Sequence, residues 1–274
     1  MKSVFMALFV VLFVSCSSDD SSTTINYAAE NEQEILAYIT ANNLDAISTG
    51  SGLYYVMDEQ GEGAEITSTS DVTVTYVGTY TNGSEFDASS DAISFNLQSV
   101  IYGWQEGLQY FNEGGSGKLI IPAHLAYGSS DYNGIPGGSV LVFDIDIIDY
   151  TAENEQEILN YINANSLDAQ VTDSGLYYVI DEQGTGVQPT GTSYVTVNYK
   201  GYYTDGEVFD EGSSDASFYL DQVIQGWEEG LQYFNEGGSG TLLIPSDLGY
   251  GRYGNNTIPG GAVLIFDIEL KSVN

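Results

Sequence analysis

Apolar and polar residues alternate over Val72-Thr-Val-Thr-Tyr-Val77, the two-residue period of a half-buried antiparallel strand. Leu53 to Met57, Ser94 to Leu97, Lys118 to Ile121 and Val140 to Ile148 predict further strands. Upstream, Ile35, Leu36 and Ile39 fall at i, i+1, i+4, an apolar helical stripe preceded by acidic residues that suit a helix N-terminus. A shorter helix is predicted near Trp104 to Phe111, stopped by Gly114-Gly115. Asn82-Gly83 marks a two-residue hairpin turn. Together these elements predict an α+β unit, an antiparallel sheet wrapped around one short helix and preceded by a helical segment.

The pattern is then written again. Ala29-Glu-Asn-Glu-Gln-Glu-Ile-Leu36 recurs as Ala152-Glu-Asn-Glu-Gln-Glu-Ile-Leu159, and Tyr76, Trp104, Pro122 and Phe143 recur as Tyr199, Trp227, Pro245 and Phe266, each 123 positions on. Ile158, Leu159 and Ile162 repeat the helical stripe, and Asp205-Gly206 repeats the turn. A constant displacement aligns the copies without insertions, and two long copies indicate duplicated globular domains rather than a stacked solenoid. The predicted division is a leader at 1–15, a polar tether at 16–28, a first domain at 29–150 and a second at 151–274. Only Asp149-Tyr150-Thr151 separates the last strand of one copy from the next, and the leading helices are expected to act as spacers.

Composition narrows the chemistry. Lys and Arg number 5 against 39 Asp and Glu, a formal net charge of −34, which excludes nucleic acid as a partner because phosphate binding needs a cationic footprint. With 42% hydrophobic and 13% aromatic residues, the chain can still fill two cores. A single His and a single Cys remove the Ser-His-Asp triad, the Cys-His dyad and Cys/His zinc clusters. What remains is carboxylate chemistry, hard-cation binding through oxygen, or an apolar cavity that works without proton transfer. Carboxylate pairs such as Asp58-Glu59 and Glu228-Glu229 have the composition of a glycosidase or calcium site, but a solvated acidic face explains them more simply. His124 has Asp247 as its counterpart, so it is expected in a surface loop and not in what recurs. Nothing in the sequence calls for a metal or an organic cofactor.

The N-terminus has Lys2, an apolar run from Val4 to Val14, then Ser15-Cys16 and a polar stretch to Thr24. The run is too short to span a bilayer. Val-Ser-Cys after an apolar core resembles the lipobox of bacterial lipoproteins, which implies cleavage before Cys16 and acyl chains on Cys16 that hold the protein on a membrane. Asp19-Asp20 resembles the surface-export signals of some lipoproteins. The expected location is the envelope of a Gram-negative bacterium, lipid-anchored at the outer membrane, on its periplasmic face or at the cell surface.

Val74-Thr-Tyr-Val-Gly78, Gly83-x-x-Phe86-Asp87, Phe95-x-Leu97, Val100-Ile-x-Gly-Trp-x-Glu-Gly-Leu108, Ile121-Pro122, Leu125-Ala-Tyr-Gly128, Ile135-Pro136 and Leu141-Val-Phe-Asp144 resemble, in order and spacing, the FKBP-type peptidyl-prolyl isomerases. The second copy repeats the series from Val197-Asn-Tyr-Lys-Gly201 to Leu264-Ile-Phe-Asp267. The resemblance implies two tandem FKBP-like domains. It also implies a pocket with Trp104 as floor, Tyr76, Phe86, Val100, Ile101 and Phe143 as walls, and Asp87, Tyr127 and Ile135 at the rim. The matching second set is Trp227; Tyr199, Phe209, Val223, Ile224 and Phe266; and Asp210, Tyr250 and Ile258.

The family's hydrogen bonds to ligand would come from the Tyr127 and Tyr250 hydroxyls and the Ile135 and Ile258 backbone N–H groups. The implied activity is cis-trans isomerisation of X-Pro bonds in exported polypeptides, with macrolide inhibitors of the family as further ligands; the alternative is a holdase chaperone or binding module that grips proline segments with little turnover. Ile93 and Ala216 stand where many family members carry an aromatic, so the second pocket is expected to be wider or weaker. Ile135-Pro136-Gly-Gly and Ile258-Pro259-Gly-Gly place glycine where another residue is commoner, which should loosen the flap over each pocket.

Overall fold

The computed structural model describes residues 27–274; the leader, the tether before Tyr27 and Cys16 lie outside the described residues. The first repeat runs α1 (Ala28–Ala41), β1 (Ile47–Ser48), β2 (Tyr54–Glu59), β3 (Asp71–Tyr80), β4 (Glu85–Asn96), α2 (Tyr102–Gly107), β5 (Ser116–Ile121) and β6 (Leu141–Ile147). Its strands pair antiparallel in the order β1-β2-β5-β6-β3-β4. The second repeat follows as α3 (Tyr150–Asn165), β7 (Gln170–Val171), β8 (Tyr177–Glu182), β9 (Tyr194–Tyr202), β10 (Val208–Tyr219), α4 (Gln225–Gly230), β11 (Ser239–Ile244) and β12 (Leu264–Val273). Its sheet has the same order, β7-β8-β11-β12-β9-β10.

Helices cover the sheet on both faces, which explains the short continuous apolar runs Leu119–Ile121 in β5 and Leu141–Phe143 in β6, where both faces are buried. Along β5, Leu119 and Ile121 face inward with Trp104 and Leu108, while Ile120 faces outward with Ile35 of α1 and Val142 of β6. The second repeat divides in the same way, with Leu242 and Ile244 inside and Leu243 outside against Ile158. The leading helix is therefore the outer layer of its own sheet rather than a spacer.

Several expectations change at the level of single residues. The apolar stripe on α1 is rotated: Ile35 is fully buried but Leu36 stays 46% exposed. Its place is taken by Asn31, whose amide donates to Gly138 O (2.8 Å) and whose Oδ1 accepts from Ala123 N (2.9 Å). Asn154 ties α3 to Gly261 and Ser246 in the same manner. A periodicity count that scores only apolar residues misses a buried amide that satisfies two backbone groups.

The hairpin at Asn82-Gly83 is a three-residue loop, with Gly83 N donating to Tyr80 O, Tyr80 N to Ser84 O, and Gly83 at φ 82°. That is a turn closed by a left-handed glycine rather than the tighter two-residue turn; Gly206 repeats it at φ 89°. Strand β4 begins at Glu85, well before the predicted Ser94, because its mostly exposed polar residues pair with β3 without contributing an apolar signal.

Thr73 also departs from simple alternation. As the outward-facing member of Val72-Thr73-Val74 it should be half-exposed, yet its exposure is 0%, because Arg252 of the second repeat lies over it.

Candidate active site

Helix α2 can lie directly on β5 because glycine occupies both contact positions. A Cβ at Gly107 would sit 2.6 Å from Leu119 Cδ2, and one at Gly103 would run into Ile121. This close approach puts the Trp104 indole, 5% exposed, at the base of an aromatic bowl. Tyr76 from β3 and Phe143 from β6 meet it edge-on, with ring centroids at 5.3 and 5.2 Å, and Phe95 from β4 lies at 5.4 Å. Phe86 packs edge-on against Phe143 at 5.5 Å. Gly78 makes room for that pair, since a Cβ there would come within 2.8 Å of Phe86 Cζ. Val100 and Ile101, on the link from β4 to α2, are half-buried against the same cluster. The Trp104 Nε1 donor is buried and meets no acceptor among the described residues.

The mouth carries the polar groups. The Tyr76 hydroxyl donates to Asp87 Oδ2 at 2.6 Å. Burial first, and then the bond to Asp87, hold the Tyr76 phenol protonated well above the ordinary tyrosine range. Tyr127 stands at the rim 36% exposed, its ring stacked on Tyr132 at 4.8 Å. Burial raises its phenol too, with Tyr132 and Asp87 adding to the shift. Ile135 is half-buried beside the cluster, but its N–H already donates to Tyr132 O at 2.8 Å. Ile135 is thus not a free donor: the loop closes on itself, and a ligand carbonyl must share or displace that bond.

The second repeat rebuilds the bowl. Trp227 is 5% exposed, with Tyr199, Phe266 and Phe218 at 5.1, 5.0 and 5.3 Å and Phe209 on Phe266 at 5.4 Å. Tyr199 donates to Asp210 Oδ2 at 2.7 Å, and its phenol is pushed up to about 12 by burial, then by that bond. A cavity of about 430 Å³ opens here, lined by Trp227, Tyr199, Phe266, Asp210, Tyr250, Val223 and Ile224, together with Phe218, Gln222 and Ala216. Ile258 differs from Ile135: it is only 5% exposed, and its N–H donates to the Asn255 side chain at 2.8 Å.

All the aromatic and aliphatic residues named from sequence converge on one bowl per repeat. The sequence expectation left out Phe95 and Phe218, each of which packs on its tryptophan. The recurrence of a Phe-x-Leu motif in both copies, at Phe95-x-Leu97 and Phe218-x-Leu220, was the available signal. His124 lies away from the bowl, its Nε2 3.0 Å from Ser51 O in an exposed loop. Among the described residues, no cluster of three or more His, Cys, Asp or Glu could hold a metal ion, and no helix is long and apolar enough to cross a membrane.

The chain is 50% identical over 105 residues to the FKBP-type peptidyl-prolyl cis-trans isomerase FkpA of Buchnera aphidicola subsp. Schizaphis graminum, covering 37% of this chain and 42% of the relative. It is 40% identical over 127 residues to FkpA of Escherichia coli K12, covering 44% of this chain and 47% of the relative. The chain thus spans less than half the length of these curated relatives. The crystal structure of FkpA from Escherichia coli matches with a TM-score of 0.42 and 37% identity, over 45% of this chain and 61% of that one. The sequence model of the family described as FKBP-type peptidyl-prolyl cis-trans isomerase matches residues 63–148 and again 186–271, one copy per sheet. Matched twice and over more than half of its length, the chain belongs to the FKBP-type peptidyl-prolyl cis-trans isomerase family.

Proposed function

We propose that this protein is a peptidyl-prolyl cis-trans isomerase that assists the folding of exported polypeptides, with one site in each of two domains, 29–150 and 151–274. The observation that carries the proposal is the recurrence, in a member of this family, of a tryptophan-floored aromatic bowl with a Tyr–Asp pair at its mouth.

Rotation about an X-Pro bond faces a barrier of about 18–20 kcal/mol, because twisting breaks amide conjugation. The planar imide is more dipolar than the twisted one, so transfer from water into a bowl of Trp104, Tyr76, Phe86 and Phe143 raises the ground state relative to the twisted state. Val100 and Ile101 close the sides around the proline ring. Asp87, fixed by the Tyr76 hydroxyl, presents a carboxylate to the carbonyl carbon as conjugation is lost. The Tyr127 hydroxyl and the Ile135 N–H, once released from Tyr132, hold the neighbouring carbonyls while the imide turns. Each tenfold acceleration requires about 1.4 kcal/mol, within reach of a few such interactions. No proton moves. Trp227, Tyr199, Phe209, Phe266, Val223, Ile224, Asp210, Tyr250 and Ile258 take the same roles in the second domain.

The N-terminal sequence supports attachment to the envelope of a Gram-negative bacterium through an acylated Cys16, and the aromatic bowls suit the family's macrolide inhibitors as competing ligands. The decisive assay follows cis-to-trans exchange of a prolyl tetrapeptide by the lipid-free chain, with Trp104→Leu, Trp227→Leu and the double variant. We expect each single variant to lose part of the catalysis and the double variant to return to the spontaneous rate. A wild-type chain that binds the peptide without accelerating exchange would replace the isomerase by a binding module.

A further inference from the structure

The two copies touch through a loop in which their sequences differ, where Tyr253 bonds Asp71 of the first repeat and Arg252 reaches further into it. Ser129 of the first repeat corresponds to Arg252 of the second, in the loop that runs from Tyr250 to Ile258 over the pocket. Arg252 leaves its own domain: its guanidinium donates to Glu113 Oε1 at 2.7 Å and reaches Thr73 Oγ1 at 3.5 Å, both in the first repeat. Its backbone carbonyl accepts from Ser94 Oγ at 3.1 Å, and Ser94 in turn bonds Thr73 at 2.8 Å. The Arg252 and Glu113 side chains are only 24% and 11% exposed, so this is not a solvated surface pair.

The same position shows why the arginine fits. In the second repeat, β12 runs on to Val273, pairing Ser272 with Thr196 and Val273 with Val195, and Glu236 accepts from Val273 N at 2.9 Å. In the first repeat β6 ends at Ile147 and the chain turns into α3. Glu113, the counterpart of Glu236, is left beside this turn, and Arg252 takes the place that a longer strand fills in the other copy. Thr73 is fully buried as a result, whereas Thr196 is not.

The loop held this way carries two rim residues. Gly251 N donates to Ser246 O at 2.7 Å, Gly261 N to Gly251 O at 3.0 Å and Asn255 N to Ile258 O at 2.8 Å, so its fold is continuous from Arg252 to Ile258. Ile258 is 5% exposed, while Ile135, whose loop has no such anchor among the described residues, is only half-buried.

We propose that Arg252 is a positioning residue for the second pocket, acting by clasping the Tyr250–Ile258 loop to Glu113 of the first domain. The second site is then completed by its neighbour, whereas the first depends on its own Tyr127–Tyr132 stack. As a claim about catalysis this rests on the isomerase reading, but the ordering of the loop can be measured without it.

The test uses the full lipid-free chain with Trp104→Phe, which leaves Trp227 as the only indole, so that its fluorescence reports on the second pocket alone. Arg252→Ala and Glu113→Gln are compared, together with their double variant and the exchanged pair Arg252→Glu/Glu113→Arg. Each single variant is expected to weaken prolyl-peptide binding to the second pocket, raising KM about fivefold with kcat changed by less than about twofold. The double variant should cost no more than either single one, and the exchanged pair should recover most of the loss.

Amide exchange at Asn255 and Ile258 should quicken in both single variants while β11 stays protected. Unchanged exchange at these two amides, or a lower melting point with KM unaltered, overturns the proposal. Because exchange needs no substrate, a chain inert toward prolyl peptides would sink the isomerase reading and still leave the clasp to be judged.

Discussion

The Tyr76 hydroxyl donates to Asp87 Oδ2 at 2.6 Å across the β3–β4 pair, so a ring that walls the first pocket also fixes the carboxylate at its mouth. Removing only the hydroxyl separates the two roles. Tyr76→Phe in a Trp227→Leu background is expected to lower kcat/KM about fivefold, the effect of a charge-assisted bond discounted to about 1 kcal/mol for solvent exposure. Asp87→Asn keeps an acceptor oxygen and removes the charge. If it turns over as fast as the parent, the carboxylate has no part in twisting the imide.

Tyr199, whose phenol is pushed up to about 12 by burial and then by Asp210, contributes to the pH dependence of stability beside Tyr76 and Tyr202, which burial raises further. Its folded value exceeds the unfolded value near 10, so the folded state holds this proton more tightly. The contribution is fully present below about pH 10 and is lost as pH rises through about 12. Urea unfolding at stepped alkaline pH should show falling stability, and Tyr199→Phe should remove its share of that fall, leaving the part carried by Tyr76 and Tyr202. An ultraviolet titration in which every phenol ionised near 10 would contradict this assignment.

Asn31 joins α1 to both Ala123 N and Gly138 O. Asn31→Ala leaves two backbone groups without their partner and is expected to destabilise the first domain by about 2–4 kcal/mol. The denaturation midpoint of the first domain should fall while that of the second holds. Asn154→Ala should reverse the pattern, and equal shifts of both domains from either variant would show that they unfold as one unit.

Ala216 lines the second cavity where the first repeat has Ile93. Ala216→Ile should narrow that cavity and turn selectivity against bulky residues before proline. A Leu-Pro peptide should lose roughly tenfold relative to an Ala-Pro peptide in the second domain, the scale set by a few methylenes in an apolar pocket. A ratio that does not move would place this residue outside the part of the pocket that reads the substrate.

Much of the fold was legible because the inner face of the sheet writes itself into the chain. Val72, Val74, Leu119, Ile121 and Phe143 alternate or cluster as buried strands must, and the duplication doubles every signal. The bowl was legible through the order and spacing of the motifs around Trp104 that resemble the family, while the close approach that Gly103 and Gly107 allow is seen only in the structure. What escaped was carried by polar residues. Asn31 is buried for its hydrogen bonds, and β4 pairs through exposed residues that show no apolar period. Ile135 and Ile258 have N–H groups whose engagement depends on loop closure, which spacing does not encode. The ion pair between Glu113 and Arg252 spans 139 positions and rests on a difference between the copies, whereas comparing repeats rewards what they share.

The uninterrupted passage from Ile147 into α3 also bears on how the chain is made. Two near-copies present each strand with two acceptable partners, and a β5 paired to β12 would satisfy much the same contacts as one paired to β6. Synthesis from the N-terminus resolves the ambiguity by timing, since the first sheet can close on β6 before any strand of the second has emerged. Dilution from denaturant offers no such order. Renatured material is therefore expected to contain strand-exchanged chains that freshly synthesised material lacks, the hazard of placing two copies of one fold on a single chain.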